Sequence, residues 1–199
     1  SLERVVEYFA KLERRMAQIE VKCPSPGLPL PFAVAVPLQN RLRVGERILV
    51  SGTTATDPRW YPQITEILES NRNLTDRLVI EITETVALQD IDDTARFVRK
   101  LRDLGCRVAL DDFGAGMCSF AYLKHLPVDY VKIDGAFVRD MFAEPMNLEV
   151  VSAINNIAHS LGMKTIAEFV ETEGALNKLR EMGVDYAQGH AVGRPFYFS

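Results

Sequence analysis

Beyond residue 31 the chain alternates between two hydrophobic rhythms. Short, nearly continuous apolar runs occupy residues 32–36, 47–50, 78–83, 107–111, 129–133, 164–168 and 185–188. In most of the intervals between them, apolar residues recur every three or four positions, over 61–70, 91–104, 148–161 and 173–182. The first rhythm predicts strands and the second amphipathic helices. The helix ends are marked as well. Asp90 precedes the second helix as an N-cap, and Gly105, Gly162 and Gly183 follow three helices as C-terminal glycines.

Three units resemble one another: LGCRVALD, LGMKTIAE and MGVDYAQ each run from a helix-ending glycine into a strand that finishes on a polar residue. Strand–helix alternation with short connections predicts a parallel sheet. Polar residues at the C-terminal ends of successive strands predict an active face built there, as in a TIM-like (βα) barrel. A doubly wound open sheet is the alternative, and it would concentrate its site at one crevice. The α/β barrel has a deficit at its start. Only seven strand patterns are found, and QNRLRVGE, between residues 36 and 47, is too short for a crossover helix. The expectation is a barrel incomplete or rebuilt at its N-terminal end.

Ahead of it, residues 2–20 place Leu2, Val6, Phe9, Leu12, Met16 and Ile19 at helical spacing, with charges between them. That pattern suits a helix packed on its own domain, or one that dimerises or transmits a signal. CPSPGLPLP follows, with four prolines in nine residues, and reads as a linker. The expected division is a helix and linker over residues 1–31 and a barrel domain over 32–199.

The composition, 47% hydrophobic and 25% charged over 199 residues, is that of a globular domain. No apolar run is long enough to span a membrane and no signal peptide is visible. The chain starts at Ser1, so a fragment of a longer protein is expected: cytoplasmic, with no membrane contact of its own, or the cytoplasmic part of a membrane-anchored parent. A net charge of −4 argues against a nucleic-acid groove. Cys23, Cys106 and Cys118 form no Cys-x-x-Cys pair, and Cys106 lies in an apolar strand pattern, which indicates buried thiols in a reducing compartment. Three scattered histidines make no zinc site, so any metal would be held by carboxylates, as magnesium or manganese is.

Those carboxylates are conspicuous in VALDDFGAG, where Asp111 and Asp112 close an apolar strand side by side. Glu81, Lys132, Glu168 and Gln188 also interrupt or end apolar strands. Each alone has a bland explanation as an edge position, a snorkelling lysine or a loop-satisfying amide. Together, in a fold that gathers strand ends on one face, they would bury several acids close to one another. That is costly unless cations neutralise them. One lysine cannot neutralise four acids, whereas divalent metal can. Two metals held by bridging carboxylates are the usual machinery for phosphodiester hydrolysis, with a lysine to orient water or steady charge.

EITET, ALDDFGAG, LPVDYVKID, IAEFVET and QGHAVGRP, in that order, resemble the signature motifs of the EAL domain family. Those proteins are cyclic-di-GMP phosphodiesterases and their inactive relatives, on a modified TIM barrel. The resemblance covers about residues 45 to 197. It implies Glu81, Asp111, Asp112 and Glu168 as metal ligands or their immediate partners, and Lys132, Glu168 and Gln188 as catalytic residues. It further implies Asp134 and Glu171 as ligand-binding residues, the latter near a bound guanine. Glu84 is implied as the glutamate that steadies the loop over residues 113–119, a segment the family uses in metal binding and dimerisation.

The chain also departs from that pattern. Glu-Ala-Leu, whose glutamate binds metal in the family, is absent, as is the Leu-Arg that follows it. Leu49 stands where the family's asparagine ligand is expected, Phe169 where it has glycine, and His190-Ala191-Val192 where a Tyr-Leu-Phe type sequence is common. A missing first strand could come from truncation, but Leu49 and Phe169 could not. The expectation is a catalytically inactive regulatory domain, a cyclic-di-GMP receptor or a protein-interaction module with a protein partner or a second copy. Magnesium or manganese would be weakly bound or absent. An active cyclic-di-GMP phosphodiesterase working by two metals is the alternative.

Overall fold

The computed structural model describes residues 36–37, 47–50, 65–66, 68–69, 72–75, 79–116 and 120–193. The helix expected over 2–20, the proline-rich linker, Cys23, Cys118 and most of the strand expected over 32–36 lie outside them. Seven strands are described: β1 (Val36–Pro37), β2 (Arg47–Val50), β3 (Val79–Thr83), β4 (Arg107–Phe113), β5 (Tyr130–Ile133), β6 (Lys164–Ala167) and β7 (Tyr186–Ala187). Interleaved with them are helices α1 (Arg72–Thr75), α2 (Glu84–Gln89), α3 (Ile91–Asp103), α4 (Gly135–Arg139), α5 (Pro145–Ser160) and α6 (Glu173–Glu181), and a 3-10 turn at Phe120–His125. None of the described helices is long and apolar enough to cross a membrane.

The strand order is β1-β7-β6-β5-β4-β3-β2, and every pairing from β2 to β7 is parallel. Each of those strands therefore lies beside its predecessor, and the order never reverses. A doubly wound sheet requires a reversal, so the winding is that of a TIM-like barrel. The start is rebuilt, as the short connection predicts: β1 pairs antiparallel with β7, Val36 opposite Ala187.

Helix α3 shows how the sequence sets an element. The Asp90 carboxylate accepts the Asp93 N–H at 2.8 Å, capping the first turn. Ala95, Val98 and Leu101 then bury one face. The helix ends into Gly105, whose φ of +97° and approach to the Thr75 hydroxyl leave no room for a Cβ. The strand interiors supply the core: Ile80, Ile82, Val108, Leu110, Val131 and Ile133 are all essentially inaccessible to solvent. Cys106 is buried as expected, and burial pushes its thiol up to about 12.

Most described boundaries fall within one residue of the pattern, and two differ by more. The helix expected from 148 begins at Pro145, because proline at the first helical position extends it by a turn. The strand expected to end at Asp111 continues to Phe113, through a register irregularity between Leu110 and Phe113.

Candidate metal centre

That irregularity places the paired acids. In a regular strand neighbouring side chains point to opposite faces, so Asp111 and Asp112 could not share a site. Here the ladder to β5 is interrupted at both residues, although Asp111 still pairs with Thr83 of β3, and Asp112 adopts a φ of +53°. A bulge of this kind re-aims side chains. Carboxylate oxygens of Asp111, Asp112 and Glu168 come within 4.8 Å of one another. Asp111 and Glu168 are buried, and Asp112 is exposed.

Lys132, from the middle of β5, occupies the centre. Its Nζ donates to Glu81 Oε2 at 2.9 Å and Asp111 Oδ1 at 2.5 Å, and pairs with Glu168 Oε1 at 2.7 Å. Glu81 lies on β3, two strands from Lys132. A flat sheet would hold those positions roughly 10 Å apart, so the contact depends on the sheet curling around the lysine. Only 3% of the lysine side chain is exposed.

The electrostatics follow from that packing. Burial alone would lower the Lys132 pKa, but Glu81, Glu168 and Asp111 outweigh it and hold the ammonium above its usual range. Burial pushes Glu168 up to about 7; Lys132 opposes the shift and Asp111 adds to it. Asp112 is raised as well, first by the partial burial of its carboxylate and then by Asp111 and Asp134. The three crowded carboxylates of Asp111, Asp112 and Glu168 form a hard oxygen donor set, which fits a divalent cation such as magnesium or manganese.

The other predicted residues surround this cluster. Glu84 accepts from the Gly114 N–H at 3.1 Å and the Tyr122 hydroxyl at 2.6 Å, which ties the start of the loop after β4 to α2. Residues 117–119 of that loop lie outside the described residues. The Asp134 carboxylate caps α4, accepting the Ala136 N–H at 2.7 Å. Gln188 is fixed through its backbone, which donates to the Ala167 carbonyl and accepts from the Val170 N–H. The next residue, Gly189, passes so close to Val170 that a Cβ would lie 2.3 Å from its backbone. Glu171 is exposed, three positions beyond Glu168.

Leu49 and Phe169 fall beside the cluster. Leu49 of β2 is in register with Glu81 of β3. Phe169 follows Glu168 directly and takes a φ of +51°, a conformation that suits glycine. Its ring packs so tightly on Gly135 that a Cβ there would lie 2.0 Å from a ring carbon. The Arg139 guanidinium sits 4.9 Å from the ring centroid. The sequence reading did not foresee Gly135, Arg139 or Tyr122. Tyr122 and Gly135 lie a few residues beyond the DDFG and KID stretches, and only folding reveals what they touch.

The EAL domain family profile matches residues 35–195 of this chain. A protein named "Cyclic di-GMP phosphodiesterase PdeB" from Shewanella oneidensis is 46% identical over 115 residues, 58% of this chain and 13% of the relative. "Cyclic di-GMP phosphodiesterase PdeF" of Escherichia coli is 32% identical over 148 residues, 74% of this chain and 20% of the relative. The chain thus spans a fifth or less of the length of these two relatives. Among solved structures, the EAL domain of Mycobacterium smegmatis DcpA is similar with a TM-score of 0.75 and 27% identity, over 84% of this chain and 91% of that one.

Proposed function

This chain belongs to the EAL domain family, and from that premise we propose that it is a regulatory domain that binds cyclic di-GMP without hydrolysing it. The observation that carries the proposal is the register of Leu49 with Glu81. An in-line displacement by two metals needs both the attacking and the leaving oxygen braced. On the strand next to Glu81 stands a leucine, which has no lone pair to offer. Glu-Ala-Leu is absent from the sequence as well.

The remaining residues have assignable tasks. Asp111, Asp112 and Glu168 would hold a divalent cation, magnesium or manganese, weakly; Glu81 would stand at its edge. When bound, that cation would act as a Lewis acid toward a phosphate oxygen. Lys132 presents a fixed positive charge on the same face and orients three of the four carboxylates. Gln188 follows the end of β7 and Glu171 lies in the segment after β6, where they would meet the ligand rather than the metal. Glu84 holds the loop that frames one side. In the parent protein the domain would act in the cytoplasm, passing nucleotide occupancy to a protein partner or a second copy.

Calorimetric titration with cyclic di-GMP, with and without calcium, tests the proposal. Saturable binding is expected, tightened by a cation that supports binding without turnover. No heat at high nucleotide concentration in either buffer would remove the receptor reading and leave a protein-interaction module.

A second reading, an active phosphodiesterase releasing linear pGpG, has its own support. Glu81, Asp111, Lys132 and Glu168 converge within contact distance, and the Shewanella oneidensis relative at 46% identity is named for that activity. The two readings part at product formation.

A further inference from the structure

A second concavity lies at the other end of the barrel. Helix α3 ends at Asp103, and the chain turns through Gly105 into β4. Around that turn Arg99, Arg102, Asp103, Gly105, Cys106 and Arg107 line an open cavity of about 510 Å³. A volume of that order suits a small molecule. The cavity lies at the N-terminal end of β4, whereas the candidate metal centre lies at the C-terminal end. Three of its lining residues are arginines, on a chain whose net charge is −4.

These arginines are held in place without being neutralised in full. Asp129 Oδ1 accepts from Arg107 Nη1 at 3.2 Å and lies 3.3 Å from Arg102 Nη2. Its Oδ2 takes the Val108 N–H, and Arg102 Nη1 donates to the Pro127 carbonyl at 2.9 Å. One carboxylate thus serves two guanidiniums. A guanidinium carries five N–H donors, and both side chains stay about half exposed, so donors are left over. Arg99, one turn before Arg102, is exposed and makes no ion pair among the described residues. Asp103 is the single acid of the lining. A basic residue in the last turn of a helix complements its dipole, which accounts for Arg102. It does not account for Arg107, which opens a strand, or for the cavity the three arginines share.

We propose that this cavity binds a small molecule through a phosphate or diphosphate group, gripped by Arg99, Arg102 and Arg107. Guanidinium forks match phosphate oxygens in pairs, and Asp129 positions two of the three in advance. The site shares no residue with the candidate metal centre, so it stands or falls apart from the cyclic-di-GMP reading.

Calorimetric titration of the whole chain with inorganic pyrophosphate, in metal-free buffer of fixed ionic strength, tests the proposal. Saturable binding is expected, with the amide resonances of Gly105, Cys106 and Arg107 shifting. No binding at millimolar pyrophosphate, or shifts confined to the C-terminal strand ends, would overturn it. Arg99→Ala should weaken binding about tenfold or more and leave the melting transition in place, because it removes charge-assisted hydrogen bonds to the ligand and no ion pair of the described fold. Unchanged affinity in Arg99→Ala would overturn the proposal. Arg96→Ala, one turn earlier and paired with Asp93, removes the same charge outside the cavity and should change affinity about twofold at most. Equal losses in the two variants would mean diffuse attraction to a basic helix and count against a built site. Adenosine diphosphate titrated alongside separates the sources of the phosphate. Tighter binding than pyrophosphate assigns a nucleotide, equal or weaker binding assigns the phosphate group alone, and either upholds the site.

Discussion

Phe169 is where a single residue diverges most from its conformational preference. Its φ of +51° costs a β-carbon-bearing residue about 1 kcal/mol relative to glycine. The ring offsets this by packing on Gly135 and under Arg139, although half of it stays exposed. The two contributions separate in a pair of variants. Phe169→Ala and Phe169→Gly both lose the ring, but only glycine also relieves the backbone. Urea unfolding should therefore find the glycine variant more stable than the alanine variant by about 1 kcal/mol, the reverse of glycine's usual penalty. Equal stability would mean that the left-handed conformation is not retained once the ring is gone. At this scale the sequence is informative about chemical type but not geometry. It shows a phenylalanine in an unusual place; it does not show that Gly135 is hollowed out to receive it.

At the scale of elements, the end of the barrel opposite the candidate metal centre repeats a device. Val128-Asp129-Tyr130 and Val184-Asp185-Tyr186 lead into β5 and β7. The Asp129 carboxylate accepts the Val108 N–H from β4 at 2.9 Å, and the Asp185 carboxylate accepts the Thr165 N–H from β6 at 2.9 Å. Asp185 also pairs with His159 at 2.7 Å, and Thr165 donates to the buried Asn155. These acids stitch strands together at the N-terminal face, where a barrel invests in stability rather than chemistry. Asp185→Ala should lower unfolding stability by about 2 kcal/mol through the unsatisfied Thr165 amide, and leave manganese affinity unchanged. A loss of metal affinity equal to the loss of fold would show that the two ends are not independent. The strands and long helices were legible because their periodicity is strong and their ends carry caps. The bulge in β4 was not, since two consecutive aspartates look the same in a regular strand. Helices α2 and α4 span six and five residues, too short for periodicity to declare them. The antiparallel direction of β1 was not legible either, because an apolar run has no polarity; only the short segment after it hinted at a rebuilt start.

For the whole molecule, the question is whether the carboxylates gathered about Lys132 support turnover or only binding. Convergence of Glu81, Asp111, Asp112 and Glu168 about Lys132 was foreseeable, because parallel strands in sequential order must bring their C-terminal ends together. How closely the lysine engages three of them was not, since spacing along a chain fixes no distances. On the proposed reading, Leu49→Asn should not produce turnover, because the sequence still contains no Glu-Ala-Leu and Lys132 still engages Glu81. The expected gain is confined to manganese affinity, read by titration. Turnover appearing in Leu49→Asn would mean that one neutral ligand is all the site lacks. The most direct test of the account is chromatographic analysis of cyclic di-GMP incubated with the unmodified chain and manganese at neutral pH. The account predicts intact cyclic di-GMP and no linear product over hours. Linear pGpG formed by the chain and abolished in Glu81→Ala would contradict it and make the domain an enzyme.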